Sequence, residues 1–290
     1  MNAFPLFSAR GVVAPAIPLL DSFPGATAAW SIARKLRAAY AGNAIRVIRT
    51  SDSTQTDIGF DGSGNLDSTA LLAFASGGDC GVTKMYDQSV SGGHDASWLG
   101  SGSGPLIVTG GSLVTGFGDN SRPNINGSAT ISGSPAGFSF TAISASGANW
   151  SVFTTQSRFS ATSASFRFLN ALWNSAENVQ GAGAATASGS GTLAISDGSK
   201  FATVTNSTTG NMLIESYKAA SLFSMKIKSV SVLSPTAGSA STGTDTSWNR
   251  IGKQSANWQT RFAELVVYLS DQTANSSGIY ANVNTYYGNV

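Results

Sequence analysis

From Val82 onward the chain alternates short apolar runs with turns built from Gly, Ser and Asn. The clearest runs are Val82–Tyr86, Leu106–Thr109, Ala129–Ser132, Phe138–Ile143, Trp150–Thr155, Ser165–Leu169, Thr192–Ile195, Phe201–Thr205, Met212–Tyr217, Phe223–Leu233 and Phe262–Leu269. Many short strands at near-regular spacing predict a sandwich or barrel. Phe223 to Leu233 alternates apolar with polar residues, the mark of a strand with one dry and one wet face. The N-terminal part reads differently. Residues 1–24 are apolar but punctuated by Pro5, Pro15, Pro18 and Pro24, which predicts an extended arm whose side chains need covering. Ala26 to Tyr40 is rich in Ala, Arg and Leu, with Trp30, Ala33, Leu36 and Tyr40 at helical spacing and Gly42 as a stop. It predicts a helix. Ala44 to Arg49 predicts a strand, and Asp67 or Ser68 caps a short helix that buries Leu71, Leu72 and Phe74. A last helix is expected over Asn275 to Tyr287, and Gly181 to Gly191 reads as a small-residue surface loop.

Composition narrows the classes. Of 290 residues, 11% are charged and 41% hydrophobic, whereas a globular chain carries about a quarter charged residues. That balance argues against disorder and against helical bundles, which need far more Glu, Lys and Leu. No stretch approaches the ~18 uninterrupted apolar residues of a spanning helix, so no membrane insertion is expected. A net charge of +2 is too small a footprint for nucleic acid. Of Arg34, Lys35, Arg37, Arg46 and Arg49, four read as the solvated face of a helix and the adjoining strand.

Candidate metal chemistry is thin. Cys80 and His94 are the single Cys and the single His, so neither a zinc cluster nor a Ser-His-Asp arrangement is expected. Asp61, Asp79 and Asp119 sit in Gly-rich loops and offer oxygen ligands, but without the dense acidic spacing of a calcium loop. No cofactor is expected. The first twenty residues lack a basic segment ahead of their apolar stretch, so they do not read as a signal peptide. An extracellular-type composition without an export signal points to a protein made in a host cytoplasm and released as part of a particle.

Three stretches carry a resemblance: Leu36 to Phe60, Gly64 to Phe74, and Val82-Thr-Lys-Met-Tyr-Asp-Gln-Ser89 with the loop that ends at Asp95. Together they resemble the N-terminal part of the family-54 α-L-arabinofuranosidase catalytic domain. Phe262 to Tyr268 and the helix ending at Gly288 resemble the final strand and helix of concanavalin-like lectin domains. A similar block, preceded by an arm like Pro18 to Gly25, is found in virion proteins of tailed phages. The resemblance implies an all-β fold with a few helices, a concanavalin A-like jelly-roll β-sandwich over 25–290, preceded by an extended N-terminal anchoring arm over 1–24.

A retaining glycosidase needs two carboxylates about 5–5.5 Å apart. The resemblance implies an acid/base Asp shortly before the last strand, and Gln254 stands there, in Ile251-Gly-Lys-Gln-Ser255. It implies a mid-chain Glu as nucleophile, for which Glu177 and Glu215 are the candidates; Glu264 belongs to the final strand. It also places the Tyr-Asp-Gln-Ser block near the sugar site. Asp87, Gln88, His94 and Trp98 are therefore glycan-binding candidates, with Trp150, Trp173, Trp248 and Trp258 as further rings for stacking. For Asp87 a second reading stands, a turn cap at a strand end.

The substitution at Gln254 leads to the expectation of a non-enzymatic virion structural protein, a capsid decoration, head fibre or tail component. Its arm would bind other virion proteins, its body would form a homo-oligomer, and host-surface glycan would be a possible ligand. The alternative is an α-L-arabinofuranosidase-like glycoside hydrolase.

Overall fold

The computed structural model describes residues 17–126, 136–145, 149–158, 167–169, 181–182, 184–186, 192–196, 200–205, 210–240, 247–253 and 260–290. The fold is a mostly-β sandwich with few helices. One antiparallel layer runs Val230–Ala237, Leu222–Ile227, Gly210–Ala219, Trp150–Arg158, Thr260–Tyr268, with Ala28–Ser31 on the far side of Thr260–Tyr268. The other runs Gln55–Ile58, Ile45–Arg49, Cys80–Met85, Ala96–Trp98, Ala136–Ser144, Ser247–Lys253. Leu106–Thr109 and the two-residue strand Ile125–Asn126 link the layers along one continuous path.

The main core lies between the layers. Trp30, Trp150, Trp248, Phe138, Phe223 and Phe262 are all fully buried, and Trp150 meets Trp248 edge to face at 5.2 Å. A second apolar cluster lies on the outer face of the first layer. There Phe153, Leu213, Tyr217, Val266 and Tyr268 are roofed by helix α3 (Ser276–Tyr287) and by the short helix α1 (Leu19–Ser22). Tyr217 and Tyr268 flank Phe153 edge-on at 5.8 and 5.9 Å, a geometry aromatic pairs prefer.

Three expectations from the chain pattern are corrected. Ala26 to Tyr40 is not helical: Ala28–Ser31 is a strand paired with Glu264 to Val267. Ala28 and Trp30 enter the inter-layer core while Ala29 enters the outer cluster. A strand buried on both faces shows no alternation, and tertiary pairing overrides helix propensity. Phe223 to Leu233 is a hairpin and not one strand, turning at Lys228 and Ser229 with φ of 50° and 63°. Neither residue is the Gly or Asn such a turn prefers. Lys228 is held there by its N–H on the Leu213 carbonyl and its ammonium on the Asn289 oxygens, both 3.2 Å away. Thirdly, the distal end of the expected extended arm is helical at Leu19–Ser22, with Leu19 and Leu20 buried against the body. Residues 1–16 lie outside the described residues.

Elsewhere local signals suffice. Asp67 caps helix α2 (Ser68–Ala75), its Oδ1 accepting the Ala70 N–H at 2.9 Å. Gly288 ends α3 with φ of 74°, and glycine is required at nearby Gly118, whose φ is 67°. A Cβ there would lie 2.0 Å from the Tyr287 carbonyl.

Candidate functional site

The outer face of the first layer is closed by α1 and α3. The outer face of the second is polar, and its cross-strand register aligns a single row. Asp57 pairs with Arg46, Arg46 with Lys84, Lys84 with Ser97, Ser97 with Ser139, and Ser139 with Arg250. Residues directly opposite in antiparallel strands share a face, so six polar side chains cross six strands. At the usual strand spacing the row is about 24 Å long. Every member is half-buried.

Electrostatics divide this row into two ends. At one end Arg46 grips Asp57 with two hydrogen bonds of 2.7 and 2.9 Å, and the Tyr86 hydroxyl donates to Asp57 at 2.7 Å. The Arg46 bond is the main reason the Asp57 carboxyl stays below the usual carboxylate range. Tyr86 is pushed up to about 12, by burial first and then by Asp57. Lys84 faces Asp95 at 3.5 Å. At the other end Arg250 has no ion pair among the described residues, and its Nε is buried without a hydrogen-bond partner. Burial alone lowers its pKa, with no carboxylate to offset it. A bulge puts Arg250 there: Trp248 and Ile251 both face the core, three positions apart, so the pleat reverses between them.

The residues singled out from the sequence fall elsewhere. Asp87 is 2% exposed, and its carboxylate accepts from the N–H groups of Ala29, Ser89 and His94 and from the Ser89 hydroxyl, at 2.9 to 3.1 Å. Its acceptor sites are thus occupied in fastening the 87–95 loop to the first strand. Gln88 is fully buried; its Oε1 accepts the Leu36 N–H at 2.8 Å and its amide donates to the Ser31 and Arg34 carbonyls. His94 Nδ1 bonds the Thr141 carbonyl at 2.8 Å. Trp98 turns its ring onto Phe138 at 5.3 Å, with Nε1 buried and unpartnered. Trp150 and Trp248 are core residues. Glu177, Gln254, Trp173 and Trp258 lie outside the described residues.

Glu215 is fully buried beneath α3. Its Oε2 accepts from the Tyr217 hydroxyl and from Ser276 Oγ at 2.5 Å, and Lys226 Nζ donates to the same Ser276 oxygen at 2.7 Å. Tyr217 is raised well above the usual tyrosine value by burial and then by this carboxylate. A sugar cannot reach Glu215 without displacing the helix. Glu264 is likewise occupied, by Arg34 in a two-pronged ion pair of 2.8 Å per bond with both partners buried. Burial alone would lower the Arg34 pKa, and Glu264 overrides it. Of the five basic residues Arg34 is interior, whereas Arg46 and Arg49 stay partly exposed and pair with Asp57 and Asp52.

Asp61 accepts the Ser63 and Asn65 N–H groups in its own turn, and Asp79 accepts the Gly110 N–H of a distant turn. Among the described residues no three His, Cys, Asp or Glu side chains group to hold a metal. A cavity of about 820 Å³ opens between α1, the 61–65 turn and the end of α3. Its aromatic residue, Tyr286, has Arg34 and Arg122 over its ring at 4.8 and 4.2 Å. Two guanidinium groups therefore compete with any sugar for that ring.

Comparison with known proteins follows this geometry. The model of the α-L-arabinofuranosidase B catalytic domain matches residues 22–113. Three solved structures align over 93% of this chain and 64% of their own. One is an arabinofuranosidase complexed with arabinofuranosyl-α-1,2-xylobiose, at TM-score 0.62 and 16% identity. Another is a family-54 α-L-arabinofuranosidase soaked with a cyclic sulfate inhibitor, at 0.62 and 17%. The third is a mutant family-54 enzyme soaked with 4-nitrophenyl α-L-arabinofuranoside, at 0.60 and 16%. The chain thus spans less than two thirds of their length, and the shared property at this identity is the fold. No curated protein matches the chain.

These findings overturn the expectation of a non-enzymatic virion structural protein, with its capsid, head-fibre and tail variants. The matched model is a glycosidase catalytic domain, and the aligned structures are glycosidases. That expectation rested on the missing export signal, the likeness to phage chains, the apolar arm and Gln254, and none of these excludes a hydrolase.

Proposed function

We propose that the chain is an α-L-arabinofuranosidase-like glycoside hydrolase domain. The observation that carries this reading is the match of residues 22–113 to the arabinofuranosidase catalytic model, supported by a sandwich that aligns with those enzymes over 93% of the chain. Of the three glutamates, Glu264 holds Arg34 and Glu215 lies under α3. On this reading Glu177, which lies outside the described residues, is taken as the nucleophile, with Glu215 the other candidate.

In the first step a Glu177 carboxylate oxygen attacks the anomeric carbon, and the bond to the leaving oxygen breaks as that oxygen takes the electron pair. In the second step water cleaves the glycosyl ester. Gln254, which the family resemblance sets at the position of the acid/base, neither donates a proton to the leaving group nor activates the water at neutral pH. An aryl substrate is therefore the right probe, because nitrophenolate leaves without protonation. The full chain should release a burst of 4-nitrophenol from 4-nitrophenyl α-L-arabinofuranoside, followed by slow turnover. Azide, which needs no general base, should speed the second phase, and Gln254→Asp should raise steady-state turnover by about 10². No release above that of the Glu177→Gln protein would overturn the reading.

A further inference from the structure

We infer that Arg250 is the specificity residue of a glycan-binding polar row on the outer face of the second layer, and that it selects a sugar carrying a carboxylate. The inference rests on the glycoside-hydrolase reading for the polymer it names, and on the row geometry for the charge. The cations of the row are Arg46, Lys84 and Arg250. Arg46 is saturated by Asp57 and Lys84 faces Asp95, so the row's unbalanced charge is concentrated at Arg250.

A half-buried guanidinium with a buried, unpartnered Nε has lost hydration without gaining a counter-ion among the described residues. That is unfavourable in the free protein and is relieved by an incoming anion. Guanidinium geometry favours a planar, two-oxygen acceptor such as a carboxylate. Ser97 and Ser139 continue the row beside Arg250. Their hydroxyls can donate and accept, as sugar hydroxyls require. The row's length of about 24 Å, from strand spacing, suits several consecutive sugar units. Arg250 also belongs to Ser247–Lys253, the strand that runs directly into Gln254.

The test is calorimetric binding of two probes to the full chain: a xylo-oligosaccharide with one glucuronic acid branch, and the same oligosaccharide without it. The acidic probe should bind about tenfold more tightly at low salt, as one charge-assisted contact predicts. The preference should shrink in 0.5 M NaCl. Arg250→Gln should abolish it, Arg250→Lys should retain part of it, and Arg49→Gln should leave it unchanged. Melting curves of each variant separate a lost contact from a lost fold. Equal binding of both probes by the wild-type chain, or a preference that survives in folded Arg250→Gln protein, would overturn the inference. Nitrophenol release by wild-type and Arg250→Gln protein is read in parallel. A chain that prefers the acidic probe but releases nothing refutes the hydrolase reading alone, and a chain that hydrolyses without preference refutes this inference alone.

Discussion

The two outer faces of the sandwich handle charge in opposite ways. The face beneath α1 and α3 holds two glutamates, both buried and both bonded from several sides. The other outer face holds the Asp57 to Arg250 row, half-buried and ending on a guanidinium with no ion pair among the described residues. A carboxylate is thus a poor marker of chemistry in this chain when its environment is ignored. Glu215 and Glu264 look like catalytic candidates by residue type, but they fasten the roof helix and the first strand to the sheet. Each face keeps a buried, unpartnered polar atom on a charged group, Glu215 Oε1 beneath α3 and Arg250 Nε on the row.

The sharpest way to break this contrast is to remove a charge from the covered face. Glu264→Ala strands Arg34 in the interior, and loss of one partner of a buried pair costs about 3–5 kcal/mol. The melting temperature should collapse, and replacing both residues by apolar ones should recover much of it. A loss below about 1 kcal/mol by chemical denaturation would mean the pair is not buried as described.

Glu215→Gln keeps an acceptor for Tyr217 and Ser276 and should cost about 1–3 kcal/mol. It should leave nitrophenol release intact in the folded fraction. A specific loss of release with an unchanged melting curve would return Glu215 to the active site. Ser229→Gly acts away from both faces. It relieves a non-glycine residue held at φ of 63° and should raise stability by about 1 kcal/mol, read as a shift in denaturation midpoint.

The smallest effect belongs to the face with the row. Asp57 has a depressed pKa in the folded state, so its contribution is present above the unfolded value of about 3.9. That contribution is lost as pH falls through the folded value. Asp57→Asn should therefore flatten the fall in melting temperature between about pH 5 and pH 2, with a change under about 1 kcal/mol at neutral pH. An unchanged acid limb would show that Arg46 does not hold this carboxylate.

How far the chain could be read in advance follows the range of the interactions. Strand segments such as Leu106–Thr109 and the helices α2 and α3 carry their own patterns and caps. Ala28–Ser31 does not, because its pairing partner lies more than two hundred positions away and both its faces are buried. The turn at Lys228–Ser229 is imposed by contacts to Leu213 and Asn289, and its residues give no turn signal. The site was less legible than the fold. Asp87 and Gln88 drew attention by motif, but their partners at Ala29, Ser31 and Leu36 make them structural. Arg250 carries no motif, and only the cross-strand register and the bulge beside Trp248 give it meaning.

The central proposal is that Glu177, and not the buried Glu215, supplies the nucleophile of a glycosidase-like domain. The most direct measurement is pre-steady-state release of 4-nitrophenol from 4-nitrophenyl α-L-arabinofuranoside by wild-type, Glu177→Gln and Glu215→Gln proteins. The account predicts a burst near one equivalent per chain for wild-type and folded Glu215→Gln protein, and none for Glu177→Gln. A burst that survives Glu177→Gln, or its absence from the wild-type chain, would contradict it.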